Sequence, residues 1–253
     1  MVHFVGAGPG ATDLITVRGA KLLQQADTVI YAGSLVNPEL LQLCRSECRV
    51  YDSARLTLEE VLQIMADAEK QGHLTVRLHT GDPSVYGAIR EQMDALDQMG
   101  IAYSVTPGVS SFCGAAAAAK AEYTLPGVSQ TVILTRMEGR TPVPERERLK
   151  ELASHSASMA IFLSAGMLDA VQAELLKGAY TDTTPAAIVY KATWPDERVL
   201  RCTVGTLAET GRRHSIRKTA LVLVGDFLSG GYERSRLYAP EFTTAFRKGT
   251  EQE

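Results

Sequence analysis

The sequence predicts a two-domain α/β fold, with a mostly parallel sheet and flanking helices in the first half and a mixed sheet with helices in the second. Three observations predict it. Apolar, β-branched runs alternate with helical spacing through residue 108. Further along, the strand-like runs 186–190 and 199–203 follow each other with no helical segment between them. Glycine-bearing turns, Gly6-Ala7-Gly8-Pro9-Gly10 and Gly81-Asp82-Pro83, stand directly after two of the early strand runs, where open α/β sheets hold ligands. A chain of 253 residues, 45% hydrophobic and 22% charged, is long enough to bury the core of such a fold.

Residues 3–5 read as the first strand, and 13–25 carries helical spacing through Leu14, Val17, Leu22 and Leu23. A second strand covers 28–32, and a helix is expected from Asn37-Pro38, where proline suits the first turn. The run 49–52 reads as a short third strand, and 58–71 as an amphipathic helix ended by Gly72. A strand over 74–79 then enters the Gly-Asp-Pro turn, followed by a helix from about Ala88 to Met99 and a strand over 102–105 closed by Thr106-Pro107-Gly108. In the second half, strands are expected at 130–135, 159–163, 186–190, 199–203 and 220–224, with a helix at 168–177. The small-residue stretch 115–119 suits a closely packed helix, whereas 136–148 is too charged and proline-bearing for a core element. These elements divide the chain into domains at 1–112 and 113–232, followed by a polar tail at 233–253.

The formal net charge of −3 leaves no basic stripe, and aromatic residues make up only 6%, so a nucleic-acid partner is not expected. No run approaches the length of about 18 apolar residues that a membrane span needs. Residues 1–6 lack a basic stretch and enter a strand directly, so no signal peptide is expected. Cys44, Cys48, Cys113 and Cys202 form no Cys-x-x-Cys pair and no zinc-ligand pattern. The chain therefore reads as cytoplasmic, with reduced thiols and no protein-bound metal.

The glycine turn at 6–11 superficially fits a dinucleotide fingerprint. Pro9, however, removes an N–H that would face a pyrophosphate, and the 28–33 strand ends without the acidic residue that holds an adenine ribose. A nicotinamide-dependent oxidoreductase is the disfavoured alternative. In the second turn, Gly81 permits close approach to the backbone, Pro83 stiffens the chain and Asp82 supplies a carboxylate. By itself that turn is equally a capped strand-to-helix connection.

Taken together, Gly6-Ala7-Gly8-Pro9-Gly10, Tyr31-Ala32-Gly33-Ser34-Leu35, His79-Thr80-Gly81-Asp82-Pro83 and Pro107-Gly108-Val109-Ser110-Ser111-Phe112 resemble, in the same order, the motifs of the tetrapyrrole methyltransferases. The strings Thr135-Arg136-Met137-Glu138-Gly139-Arg140-Thr141-Pro142 and Tyr190-Lys191-Ala192-Thr193-Trp194-Pro195 are similar to those of one branch, the precorrin-4 C-11 methyltransferases of cobalamin biosynthesis, in their cobalt-precorrin-4 form above all. The likeness spans residues 2–230. Ala11-Thr12 departs from it, standing where many relatives have an acidic residue. The resemblance implies the two-domain tetrapyrrole methyltransferase fold, a homodimer, and S-adenosylmethionine held folded in a cleft between the domains. Carried over by position, it implies cofactor contacts from Pro9, Thr80, Gly81, Asp82, Val85, Tyr86, Ser110 and Ser111, and from Leu163, Ala192, Ala220 and Leu221.

Methyl transfer from a sulfonium to carbon is an in-line displacement that needs alignment and exclusion of water, with neither a metal nor a covalent nucleophile. The acceptor implied is C-11 of precorrin-4 or cobalt-precorrin-4, whose acetate and propionate arms call for cations. Arg136, Glu138, Arg140 and Lys191 are the substrate-side candidates, with Arg77 and Arg90 as further cations. The segment holding Arg136 to Arg148 also reads as an internally paired, solvated loop. No general base is assigned, although Tyr86 and His79 lie close to the turn in sequence. Methylation at another macrocycle carbon is the nearest alternative, and a catalytically silent tetrapyrrole carrier is a third.

Overall fold

The computed structural model describes residues 1–33 and 35–250; Ser34 of the Tyr31–Leu35 string and the last residues of the expected tail, 251–253, lie outside the described residues. By contact the chain forms two compact units, the first comprising Met1–Ala118 with Lys191–Arg198, the second Ala119–Tyr190 with Val199 onward. Sequence order placed 191–198 in the second domain, yet these residues group with the first.

The first unit is built on β1 (Val2–Gly6), β2 (Thr28–Tyr31), β3 (Arg49–Asp52), β4 (Thr75–His79) and β5 (Tyr103–Thr106), in the order β3-β2-β4-β1-β5. All pairings are parallel. A parallel sheet is covered on both faces, so its central strands read as continuous apolar runs whose alternate residues serve opposite cores. Val5, Val29, Val76 and Leu78 pack with Leu23 of α1 (Val17–Gln25). Their neighbours Phe4 and Ile30 face the other way, against Val61, Leu62 and Met65 of α2 (Leu58–Lys70) and Leu96 of α3 (Arg90–Gln98). The unit also holds most of the small-residue helix α4 (Ser111–Ala119).

Three helix expectations needed adjustment. The 13–25 pattern splits into a 3-10 turn at Thr12–Leu14 and α1, because Thr16 is extended and caps α1 by accepting the Gly19 N–H at 3.1 Å. The element after Asn37 is a 3-10 helix, Pro38–Leu43. The helix expected from Ala88 starts at Arg90, since Ala88 has a φ of 49° and cannot lie in a right-handed helix. By contrast, α2 is where its signals put it. The Thr57-x-x-Glu60 capping box closes its start and Gly72 follows its end.

The second unit contains β6 (Val132–Arg136), β7 (Ser158–Phe162), β8 (Pro185–Tyr190), β9 (Arg198–Thr203) and β10 (Ala220–Val224), ordered β6-β7-β10-β8-β9. β6 and β7 are parallel, whereas β10 is antiparallel to both β7 and β8, which makes the sheet mixed. Met159, Ile161, Ile188, Val222 and Val224 form its core with α5 (Leu149–Ala153), α6 (Leu168–Leu176) and α7 (Leu207–Arg213). The tail expected to be polar also exposes Leu237, Tyr238, Phe242 and Phe246. Among the described residues, no helix is long and apolar enough to cross a membrane.

Candidate functional site

The carboxyl ends of β1, β4 and β5 are joined backbone to backbone through glycines. A Cβ on Gly6 would lie 2.5 Å from the Gly108 Cα and 2.6 Å from the Gly81 carbonyl oxygen, and a Cβ on Gly108 would lie 2.2 Å from that same oxygen. Gly8 and Gly81 exchange a pair of hydrogen bonds, the Gly8 N–H donating at 3.2 Å and the Gly81 N–H at 2.8 Å. Both adopt left-handed φ values, 81° and 60°. The three turns thus pack main chain on main chain, which only glycine permits at such close approach.

Asp82 is spent on this surface. One carboxylate oxygen accepts the Gly108 N–H at 2.8 Å, and the other accepts the Ser84 N–H at 2.8 Å together with the Ser84 hydroxyl. Burial pushes its pKa up, but those three bonds outweigh burial and hold the carboxyl below its ordinary value. Asp82 therefore ties the turn after β4 to the turn after β5. Beyond it, the loop to Ile89 presents Val85, half-buried, and Tyr86, exposed with a φ of 57°. Non-glycine residues held at such angles cost about 1–3 kcal/mol each and gather where function requires a fixed backbone.

The loop is anchored from below. Gln92 of α3 donates to the Ala88 carbonyl at 3.0 Å and accepts from Arg77 Nε at 3.2 Å, while Arg77 also donates to the Ile30 carbonyl at 3.2 Å. Arg77, proposed from sequence as a substrate cation, is instead a buried residue whose pKa burial lowers to about 10. Arg90, the other such cation, pairs with Asp94 at 2.7 Å. His79 is buried, and burial followed by the nearby Arg77 lowers its pKa to about 3, so it stays neutral. Its ring lies 6.1 Å from that of Phe4, and its Nε2 has no hydrogen-bond partner among the described residues. It is a core histidine.

The remaining candidates of this unit frame the glycine turn. Ser110 is buried ahead of α4, its carbonyl accepting the N–H groups of Cys113 and Gly114 at 3.0 and 3.2 Å, and Ser111 opens the helix. Thr80 is half-buried between β4 and Gly81. Ala192, expected from the second domain, is buried within the first unit, beside Lys191. Lys191 pairs with Asp196 at 2.7 Å and lies 5.4 Å from the Trp194 ring centroid.

In the second unit the candidates lie at one end of the strands, where β6 and β7 finish and β10 begins. Leu163 follows β7 with 63% of its surface exposed and a φ of 53°, and Ala220 and Leu221 begin β10 opposite Tyr190 and Val189. Arg136 ends β6, in register with Phe162. Its guanidinium donates to the carbonyls of Met137, Thr141 and Pro142, at 3.4, 3.2 and 2.7 Å, and so shapes its own loop. Glu138 meets Arg148 at 3.9 Å, and Arg140 stands exposed with no ion pair or hydrogen bond among the described residues. A groove of about 520 Å³ beside α6 and α7 contains none of the predicted site residues.

Residues 1–208 match the family described as Tetrapyrrole (Corrin/Porphyrin) Methylases. The chain belongs to the tetrapyrrole methylase family. Among individual relatives, this methylase is 50% identical to the cobalt-precorrin-4 C(11)-methyltransferase of Methanocaldococcus jannaschii, over 98% of this chain and 96% of that one. It is 45% identical to the precorrin-4 C(11)-methyltransferase of Mycobacterium tuberculosis, over 94% and 96%. Among solved structures, an X-ray structure of a cobalt-precorrin-4 methyltransferase superposes with a TM-score of 0.88 at 49% identity, covering 90% of this chain and 95% of that one. A uroporphyrin-III C-methyltransferase from Thermus thermophilus complexed with S-adenosylhomocysteine superposes at 0.76 with 25% identity, covering 94% of each chain.

Sequence reasoning about this tetrapyrrole methylase missed Gly6 and Gly108 as mutual packing partners, the Arg77–Gln92–Ala88 anchor, and Thr193 and Trp194. A glycine after each strand was a readable signal for the first. The second depends on a left-handed alanine that no pattern announces.

Proposed function

We propose that this protein transfers a methyl group from S-adenosylmethionine to C-11 of a precorrin-4 tetrapyrrole, with cobalt-precorrin-4 as the acceptor. The observation that carries it is identity of 50% and 48%, across nearly the whole of each chain, to relatives named for the cobalt form. Relatives named without cobalt stand at 43–45%, and one named uroporphyrinogen-III C-methyltransferase at 31%.

The glycine turns suit a cofactor site because their close backbone packing brings the carboxyl ends of β1, β4 and β5 together, where open α/β sheets hold ligands. In this proposal Pro9, Thr80, Gly81, Val85, Tyr86, Ser110, Ser111 and Ala192 of the first unit hold it. The start of α4 favours the negative end of a ligand. Asp82 contributes by fixing the two turns. When bound, S-adenosylmethionine supplies an electrophilic methyl group on sulfur. Tyr86, strained and exposed, shields the ligand from water. Arg140 and Lys191 meet the acceptor's carboxylates, and Arg136, with Glu138, holds the 136–142 loop in shape for it.

Calorimetry with S-adenosylhomocysteine, and mass analysis of cobalt-precorrin-4 after incubation with S-adenosylmethionine, test the proposal. Binding and a gain of one methyl group are expected, and no binding at millimolar ligand refutes it. The proposal includes residence in the cytoplasm and a homodimer, which light scattering tests as twice the 27.4 kDa chain mass.

A further inference from the structure

We propose that Thr193 and Trp194 are positioning residues for the cofactor, forming a clamp that holds the glycine turn after β1 in its ligand-binding conformation. The inference rests on the methyltransferase reading for what that turn binds, and on the first unit's own geometry for the clamp.

Backbone polar groups must find partners, and those of this turn find them in side chains from distant parts of the sequence. Trp194 Nε1 donates to the Pro9 carbonyl at 3.1 Å, and Thr193 Oγ1 accepts the Ala11 N–H at 3.0 Å. Asn37 Nδ2 donates to the Gly10 carbonyl at 2.9 Å. The indole lies directly on Gly10, where a Cβ would come within 2.2 Å of the ring. A Cβ on Gly114 of α4 would meet Pro9 at 3.1 Å and the Thr193 methyl at 3.2 Å, so the same clamp sits against the helix that opens with Ser111. Pro9 and Ser111 are two of the residues proposed to hold the cofactor.

The clamp is itself strained. Lys191 and Thr193 have φ values of 46° and 71° without being glycine, and a β-branched residue there is a genuine outlier. The segment's own bonds hold that shape. Trp194 N–H donates to the Lys191 carbonyl and Glu197 N–H to the Trp194 carbonyl, both at 3.0 Å, and the Thr193 N–H donates to the Glu197 carboxylate. A plain connection from β8 to β9 needs none of this. Strain maintained by such bonding, with its two outward groups spent on the Pro9 carbonyl and the Ala11 N–H, fits a device that sets the turn.

Trp194 is the chain's single tryptophan, so its emission is unmixed. Titrating the full-length protein with S-adenosylhomocysteine is expected to shift that emission. W194F keeps a ring over Gly10 but loses the N–H, and T193V keeps the shape but loses the acceptor. Each is expected to raise the calorimetric Kd for S-adenosylhomocysteine, and the KM for S-adenosylmethionine, by about three- to tenfold, the size of one neutral hydrogen bond. In both, kcat at saturating cofactor stays within about twofold, since one hydrogen bond to the turn bears on binding alone. T193S restores the hydroxyl and is expected to restore affinity. Wild-type affinity in both W194F and T193V, even with a lowered melting temperature, overturns the clamp alone. Absence of binding by the wild type overturns the methyltransferase reading and the clamp with it.

Discussion

Replacing Asp82 by asparagine tests whether the cofactor turn depends on an internal tie. The carboxylate accepts from the Gly108 N–H and, on its other oxygen, from the Ser84 N–H and hydroxyl. An asparagine oriented to keep the Ser84 bonds turns its NH2 against the Gly108 N–H, donor to donor. A hydrogen bond to a charged group contributes about 1.5–3 kcal/mol, and a half-buried carboxylate sits at the low end, near 1.5. Because Gly108 packs directly on Gly6 and Gly81, relaxing it disturbs the surface proposed to bind the cofactor. The expected result is about a tenfold weaker calorimetric Kd for S-adenosylhomocysteine in D82N, with the fold retained. The Asp82 pKa lies below its unfolded value of 3.8, so its stabilisation is complete above that value and drains away as pH falls through the folded one. The stability gap between wild type and D82N is therefore flat from about pH 5 to 8 and narrows below about pH 4. An affinity within twofold of wild type would refute the tie and return Asp82 to the role of a local turn cap.

Three further outcomes follow from the same geometry. G108A places a Cβ 2.2 Å from a carbonyl oxygen and is expected to lower the melting temperature sharply and abolish S-adenosylhomocysteine binding, read by thermal melts and calorimetry; near-wild-type behaviour would contradict the close packing. His79, with its pKa lowered to about 3, is neutral when folded but takes up a proton when unfolded below pH 6.5, so its environment costs stability as pH falls from 6.5 towards 3. H79F removes that dependence, so the loss of stability between pH 8 and pH 5, from denaturant melts, should be smaller in H79F than in wild type by about 2 kcal/mol. R140A is expected to raise KM for the tetrapyrrole while leaving S-adenosylhomocysteine affinity unchanged, which steady-state kinetics and calorimetry separate.

Much of the fold was legible because its signals are local. The strands at 49–52 and 220–224 were read at their observed bounds, and amphipathic spacing ended by Gly72 marked α2. What was not legible depends on distant contacts or on left-handed backbone. Ala88 carries no sequence signal for its φ of 49°, so the start of α3 was read too early. Residues 191–198 sit between two strands of the second sheet, and only their packing on Pro9, Gly10 and Ala11 reveals that they belong to the first unit. Charge misled in the opposite direction. Arg77 and Arg136 looked available to a carboxylate-bearing acceptor, but one is spent on Gln92 and the Ile30 carbonyl and the other on its own loop. A cation's purpose is set by which acceptors surround it, and sequence does not list them.

Labelled-methyl NMR on the tetrapyrrole product tests the proposed reaction most directly. Purified protein, cobalt-precorrin-4 and S-adenosylmethionine carrying a labelled methyl group are expected to yield one new methyl signal, at a quaternary carbon assigned to C-11. Label at another macrocycle carbon would contradict the proposed regiochemistry, and a bound but unlabelled tetrapyrrole would contradict the methyltransferase itself.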